Sequence, residues 1–198
     1  MYRGNGARVF PIIIVLIVVA IAIAALVSVG RSIFGGGSTP ETTDTSRNTL
    51  LSTTVDHSVR MTVRGPIVAE ESFRSYQVTV SPSDRTLSTY SGYLAQPINT
   101  KQLGNNVKSY EEFVHALELA NMVDGEAFTG EKDDTRGICA NGKLFEFEVL
   151  QAGSTVKRLW TSTCRGSAGS LRANATQLQD LFLDQIPDNR DILKKIDL

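Results

Sequence analysis

The chain has 198 residues, a formal net charge of −1 and 41% hydrophobic residues. Three arginines come before the first acidic residue, Glu41, so the rest of the chain carries 17 basic and 21 acidic residues. This balance argues against a nucleic-acid-binding protein, which needs a concentrated basic face, and against a domain that lies flat on anionic lipid. The part that follows the apolar N-terminal segment is long enough for one domain of about 150 residues with a hydrophobic core.

A long apolar segment, residues 9–29, contains no charged residue and a single hydroxyl, that of Ser28. At about 1.5 Å per residue, an α-helix of about twenty residues spans the roughly 30 Å hydrocarbon core of a bilayer. A helix in a soluble protein does not need to be apolar on every side over such a length. We therefore predict a single transmembrane helix over residues 9–29, which anchors the protein in the lipid bilayer.

Basic residues predict how this helix is oriented. Arg3 and Arg8 precede it with no acidic residue beside them, whereas only Arg31 follows it closely. By the positive-inside rule, residues 1–8 lie in the cytoplasm and the C-terminal part lies outside the cell membrane.

Two further interpretations of this segment stay open. Ser28 and Gly30 would suit signal peptidase, which would release a secreted protein, although the apolar run is longer than the roughly 7–15 residues of a signal-peptide core. Ala20 and Ala24 precede Ser28 at four-residue spacing, so two copies of the helix could pack closely and form a homodimer.

Residues 30–54 are rich in glycine, serine and threonine and include Pro40, and we predict a flexible linker there. For residues 55–198 we predict one extracytoplasmic α+β domain, an antiparallel sheet of about five strands with two packed helices. Alternating apolar and polar residues indicate three strands: the first ends at Gly65, the second contains residues 76–80, and the third covers residues 86–94. A turn centred on Ser83 and Asp84 would place Val80 opposite Leu87.

Helical spacing of apolar residues predicts the two helices. The first would begin with Ser109 as its N-cap and Glu112 as the partner in a capping box, and it would end near Val123. His115 falls off the apolar stripe of this helix, so we expect it to face solvent. The second helix would cover residues 175–186.

The clearest feature of the domain is a hairpin near two cysteines. Residues 143–150 and 156–164 are predicted as its strands, with a turn centred on Gly153 and Ser154. This turn would pair Phe147 with Trp160, place Trp160 in the core, and leave Glu146, Glu148 and Lys157 together on the other face. Cys139 and Cys164 are predicted to form a disulfide, because an even number of cysteines in an exported domain indicates that they are paired. Two buried free thiols are the alternative.

Four basic residues late in the chain are candidate binding residues: Lys157, Arg158, Arg165 and Arg172. They could contact an acidic surface protein or an anionic polymer of the envelope, and their alternative role is simply the solvated side of a hairpin.

No catalytic, cofactor or metal site is predicted. Residues 124–137 are acidic, but they lack the spacing of a calcium-binding EF-hand loop. Asp56, His57 and Ser58 are consecutive, so on a strand they point to alternate faces and do not form a catalytic triad. We therefore predict a membrane-anchored, non-enzymatic binding or scaffolding protein of the cell envelope. A small envelope hydrolase with an unrecognised site, in which Glu146 and Glu148 would be candidates, is the alternative.

Overall fold

The computed structural model describes residues 45–198 apart from Leu94 and Asp197, and these residues belong to one compact unit. The predicted cytoplasmic segment 1–8, the predicted transmembrane helix 9–29 and the first part of the predicted linker lie outside the described residues. Within the described part of the chain, no helix has both the length and the apolar character needed to cross a membrane.

The described part contains six strands and four α-helices, besides three short 3-10 helices. In chain order they are α1 (Thr45–Leu51), β1 (His57–Arg64), β2 (Arg74–Val80), β3 (Asp84–Ser91), β4 (Gln96–Gly104), α2 (Val107–Leu119), β5 (Leu144–Gln151), β6 (Ser154–Ser162), α3 (Ala175–Leu183) and α4 (Asn189–Leu193). The strands form a single antiparallel sheet in the order β4-β3-β2-β1-β5-β6. The predicted α+β class with an antiparallel sheet is confirmed, with six strands in place of about five.

The strand that the sequence analysis missed is β4, at the edge of the sheet beside β3. Most of its residues are exposed, so the strand shows no alternation of apolar and polar residues. Pro97 lies within it, which an edge strand tolerates because one side of its backbone has no neighbour to bond. Strand β3 ends at Ser91, so the predicted third strand over residues 86–94 is too long at its C-terminal end.

The helices cover one face of the sheet and enclose the hydrophobic core with it. Met61 of β1, Val78 of β2 and Phe147 of β5 point to this side and are at most 1% exposed. The Phe182 ring of α3 packs edge-on against Phe113 of α2, with 5.3 Å between the ring centroids. Full burial of such side chains is worth roughly 1.5–3 kcal/mol each, so this face holds the domain together.

Helix α1 lies inside the range 30–54 that the sequence analysis assigned to a linker. Its Leu50 is fully buried in the core, and its Arg47 forms an ion pair with Glu118 of α2. Residues 45–51 are therefore part of the packed domain, which begins before residue 55.

The start of α2 differs from the predicted one. Asn106 is the N-cap, and its side-chain oxygen accepts a hydrogen bond of 3.0 Å from the backbone N–H of Ser109. Ser109 therefore does not cap the helix, and Glu112 forms no capping box with it. Glu112 instead pairs with Lys108 one turn earlier, at 2.8 Å. The helix ends at Leu119 rather than near Val123, and His115 is exposed as predicted.

The second predicted helix corresponds to α3, which is three residues shorter than the predicted range 175–186. Asn174 caps it, and its side-chain oxygen accepts hydrogen bonds from the backbone N–H groups of Thr176 and Gln177. Leu178 and Phe182 of this helix are fully buried, in keeping with the predicted apolar stripe.

The pairing of β2 with β3 is shifted by two residues from the predicted one. Val80 lies opposite Arg85, and Leu87 lies opposite Val78. The turn is centred one residue earlier than expected, and Ser81 closes it. The hydroxyl oxygen of Ser81 accepts hydrogen bonds from the backbone N–H groups of Ser83, at 3.2 Å, and Asp84, at 3.0 Å.

The pairing of β5 with β6 is shifted by one residue, and this changes the face on which Trp160 lies. Phe147 is opposite Leu159, and Trp160 is opposite Glu146. The turn consists of Ala152 and Gly153, both with positive φ, and a β-bulge next to it adjusts the register. Because neighbouring strand residues point to opposite faces, a one-residue shift exchanges the faces. The predicted placement of Trp160 on the core face with Phe147 is therefore wrong.

The disulfide between Cys139 and Cys164 is confirmed, with 5.3 Å between the Cα atoms. Gly142 lies against it, since a Cβ atom there would come within 2.7 Å of the Cys139 sulfur and 2.3 Å of the Thr163 hydroxyl oxygen. The bond links the segment before β5 to the end of β6.

Tyr110 of α2 has an unusual place in the core. Its side chain is fully buried, and its hydroxyl has no hydrogen-bond partner among the described residues. Burial raises the pKa of this phenol. A buried hydroxyl without a partner lowers stability, because the group has lost its bonds to water.

We expect Tyr110→Phe to leave the free energy of unfolding unchanged or to raise it by up to about 1 kcal/mol, because the substitution removes an unpaired polar group. Tyr76→Phe is the matched control. The hydroxyl oxygen of Tyr76 accepts a hydrogen bond of 2.6 Å from Gln179, so its loss should cost about 1 kcal/mol. Urea unfolding of both variants provides the measurement, and equal destabilisation by the two substitutions would contradict the argument.

Candidate functional site

The face of the sheet opposite the helices, called the open face below, is predominantly polar. Its central strands present hydroxyl, amide, guanidinium and carboxylate groups into a groove of about 420 Å³, which we call the polar groove. The strand residues that line it are Arg60, Thr62, Arg64, Ser75, Gln77, Tyr90, Glu146, Glu148 and Arg158. The groove follows from period-two alternation, because these residues alternate with the core residues of the same strands.

Glu146 is the central charge of the groove and is only 4% exposed. One of its oxygens lies 3.1 Å from the Arg64 guanidinium, and the other accepts a hydrogen bond from Arg158. Arg158 also donates to Asp133 at 2.7 Å, and this contact ties the loop after α2 to the sheet. Two guanidinium groups therefore contact this nearly buried carboxylate, one on each oxygen.

The pKa of Arg158 reflects this arrangement. Burial lowers the pKa of the guanidinium, but the charges of Glu146 and Asp133 raise it by more, so the net shift is upward. Arg158 is therefore positively charged at every pH at which the protein would work, and it serves as a permanent partner of Glu146.

A second ion pair lies beside the first. Arg60 is 3.5 Å from Glu148, which also accepts a hydrogen bond of 3.0 Å from Thr155. Glu146 and Glu148 thus share one face, as the sequence analysis predicted, but their partners are arginines and not Lys157. Both glutamates are therefore held in ion pairs with arginines on this face.

A second cavity, of about 300 Å³, lies beside the polar groove, and we call it the apolar cavity. Its apolar walls are the side chains of Ile67, Phe73, Tyr93, Ile138 and Leu144. Arg64, Phe73 and Tyr93 line both cavities, so the two adjoin one another.

Tyr93 gives the apolar cavity a fixed wall. Its ring stacks on Phe73, with 4.2 Å between centroids. Its hydroxyl donates to the Val68 carbonyl at 2.6 Å and accepts from the Val68 N–H at 3.1 Å. The opposite wall depends on the disulfide segment, because Ile138 directly precedes Cys139 and the N–H of Ile67 donates to the Ala140 carbonyl at 2.8 Å.

The structure does not bring the four predicted binding residues together. Lys157 and Arg158 are neighbours on β6 and therefore point to opposite faces of the sheet. Lys157 lines a different surface cavity, near Glu118, whereas Arg158 lines the polar groove. Arg165 and Arg172 are exposed in the segment after β6. We call the polar groove and the apolar cavity together the open-face site. Of these four residues, Arg158 alone lies in it, and binding by the other three stays a prediction.

The open-face site contains residues that sequence reasoning missed, among them Arg60, Arg64 and Phe73. Arg60 and Arg64 alternate with the predicted core residues of β1, so their shared face was visible in the sequence. Their proximity to Glu146 was not, because it depends on the pairing of β1 with β5.

The consecutive residues Asp56, His57 and Ser58 do not form a nucleophilic site. The Nδ1 atom of His57 lies 2.9 Å from Asp56 and 2.5 Å from the Thr54 hydroxyl. Hydrogen bonds from Thr54 and His57 lower the pKa of Asp56. The contacts are local and fix the start of β1, while Ser58 points to the other face.

Among the residues that the structure describes, no group of three or more histidine, cysteine, aspartate or glutamate side chains is arranged to hold a metal ion. A scan of the chain against models of protein families finds no match, and a search of curated proteins finds no similar sequence.

Proposed function

We propose that the protein is a membrane-anchored, non-enzymatic binding module of the cell envelope, whose C-terminal domain lies outside the cell and binds its partner through the open face. The observation that carries this proposal is that the polar groove and the apolar cavity adjoin on one side of the sheet, where both are lined by Arg64, Phe73 and Tyr93. Binding sites are typically concave, with apolar walls and a few polar groups that orient the ligand.

Two features support the proposed location. The charge-free segment 9–29 is long enough to span a bilayer. The disulfide between Cys139 and Cys164 is typical of an oxidising compartment outside the cytoplasm. The partner would be a surface protein or an anionic polymer of the envelope, and a second copy of the chain is a further candidate through the predicted transmembrane helix.

Cross-linking on intact cells tests this proposal. A membrane-impermeant lysine reagent should modify Lys108, whose side chain is 73% exposed, and mass spectrometry should identify a foreign peptide or polymer fragment joined to the protein. Thr62→Arg adds bulk and charge within the polar groove without adding a lysine, and it should abolish this cross-link. Leu119→Arg, at a residue 82% exposed on α2, is the matched control and should retain it.

Three results would count against the proposal. Modification of Lys108 only after cell lysis would contradict the proposed topology. Cross-links that persist in Thr62→Arg would contradict binding through the open face. The absence of any cross-linked partner in either protein would contradict the binding role. The mass of the mature chain distinguishes a retained anchor from a cleaved signal peptide.

A further inference from the structure

The apolar cavity has the size and lining of a site for one apolar group. Its volume of about 300 Å³ lies at the lower end of the roughly 300–1,000 Å³ of small-molecule sites. Five apolar side chains form its walls, and the stacked rings of Phe73 and Tyr93 hold one of these walls in place. An aromatic or branched aliphatic group of the size of an amino-acid side chain would bury its surface there.

The charges around the apolar cavity favour an anion. Arg64 and Arg136 line it, and no acidic residue does. The Arg64 side chain is 44% exposed and contacts Glu146 through one nitrogen, so other N–H groups of its guanidinium are available. Arg136 binds Asp134 through Nε and one terminal nitrogen, which leaves its second terminal nitrogen for a ligand. A carboxylate is the planar anion that a guanidinium binds best.

We propose that the apolar cavity binds an apolar group that carries a carboxylate, with the apolar part against Phe73 and Tyr93 and the carboxylate on Arg64 and Arg136. The proposal rests on the binding function proposed above and names the chemistry of its ligand. Such a ligand has two sources, the C-terminal residue of a peptide and a free carboxylic acid. The polar groove leads away from Arg64, so it would take the preceding residues of a peptide.

Methyl NMR of the full-length chain in lipid nanodiscs tests the site with a defined probe. We expect N-acetyl-L-phenylalanine to shift the methyl signals of Ile67 and Ile138, which line the apolar cavity. The signal of Ile98, on the exposed edge strand β4, should not move and serves as the internal control. N-acetyl-L-phenylalaninamide has the same apolar group without the charge and should bind roughly tenfold more weakly.

Two substitutions test the role of the arginines. Arg64→Gln should weaken binding of the acid roughly tenfold and should abolish the preference over the amide. The matched control is Arg47→Gln, which breaks an ion pair with Glu118 on the helix side of the sheet and should leave the affinity unchanged. Arg136→Gln alters a residue whose side chain is 88% exposed, so it should preserve the fold while it reduces the preference for the acid.

The outcomes separate this inference from the proposed function. Equal affinity for acid and amide, or no shift at Ile67 and Ile138 up to about 10 mM probe, would overturn the ligand chemistry even if an open-face partner is cross-linked on cells. If cross-linking fails but the acid binds selectively, the proposed function fails while the site stands. A peptide with a free C-terminal phenylalanine that binds more tightly than the single residue would identify a peptide as the source, and equal affinities would identify a free acid.

Discussion

Replacing Arg158 with methionine should lower the free energy of unfolding by about 3 kcal/mol, one of the two largest effects that we expect from the structure. Glu146 is 4% exposed, and its two charged partners are Arg64 and Arg158. Arg158 is the less exposed of the two arginines. Without it, the nearly buried carboxylate of Glu146 keeps only Arg64, which is about half exposed, as a charged partner. The substitution also releases Asp133 and with it the loop that Arg158 ties to β6. Urea unfolding monitored by the fluorescence of Trp160, the single tryptophan of the chain, provides the measurement.

A matched control and a double substitution identify the cause of this loss. Arg60→Met removes a similar side chain from the same face, but its pair with Glu148 is longer and more exposed, so the cost should stay below about 1 kcal/mol. Glu146→Gln in the Arg158→Met background should recover part of the lost stability, since the unpaired charge is then absent. If the two substitutions were additive, the loss would come from packing and not from the charge.

Removal of the disulfide should have an effect of similar size. The paired substitutions Cys139→Ala and Cys164→Ala should lower the free energy of unfolding by about 3 kcal/mol, because the bond closes a loop of 25 residues and restricts the unfolded chain. Wild-type protein in reductant should show the same urea midpoint as the double variant. An unchanged midpoint under reduction would mean that the bond does not restrict the unfolded state.

The same variant has a consequence for the apolar cavity. Ile138 and the Ala140 carbonyl, which bonds Ile67, lie next to Cys139. Without the disulfide this wall is held by fewer constraints, so the affinity for N-acetyl-L-phenylalanine should fall along with stability. Affinity that is retained at a urea concentration well below the unfolding midpoint would show that the wall is fixed by the sheet alone.

Most strands of the sheet were predictable from the sequence because helices cover only one face of the sheet. Strands β1 and β2 lie in the middle of the sheet with helices on one face only, so core and polar residues must alternate along them. Strand β4 lies at the edge and carries no such pattern. Helix α1 is short and mostly polar, and it becomes part of the domain through the burial of Thr49 and Leu50 and the ion pair of Arg47 with Glu118. Local composition therefore assigned both elements to connecting segments.

The open-face site was less predictable than the fold. The arginines of β1 and the glutamates of β5 are about 80 residues apart in the chain, and the sequence gives no sign that Arg64 and Glu146 meet. The placement of Trp160 depends on a bulge and on a turn with positive φ at Ala152, a residue that rarely adopts that conformation. Between Val149 and Leu150 the pairing shifts, because β6 has one extra residue at the bulge, and this single residue decides which side of β6 lies on the open face.

The sequence by itself determined the class of the domain, the apolar stripe of helix α2, the cysteine pair, and the prediction of a membrane anchor. These features depend on local periodicity, on composition and on the count of one residue type. Only the tertiary structure decided which side chains share the open face and which loops complete its two cavities. Those contacts arise between distant segments whose register is set by turns and bulges, and a shift of one residue exchanges the two faces of a strand.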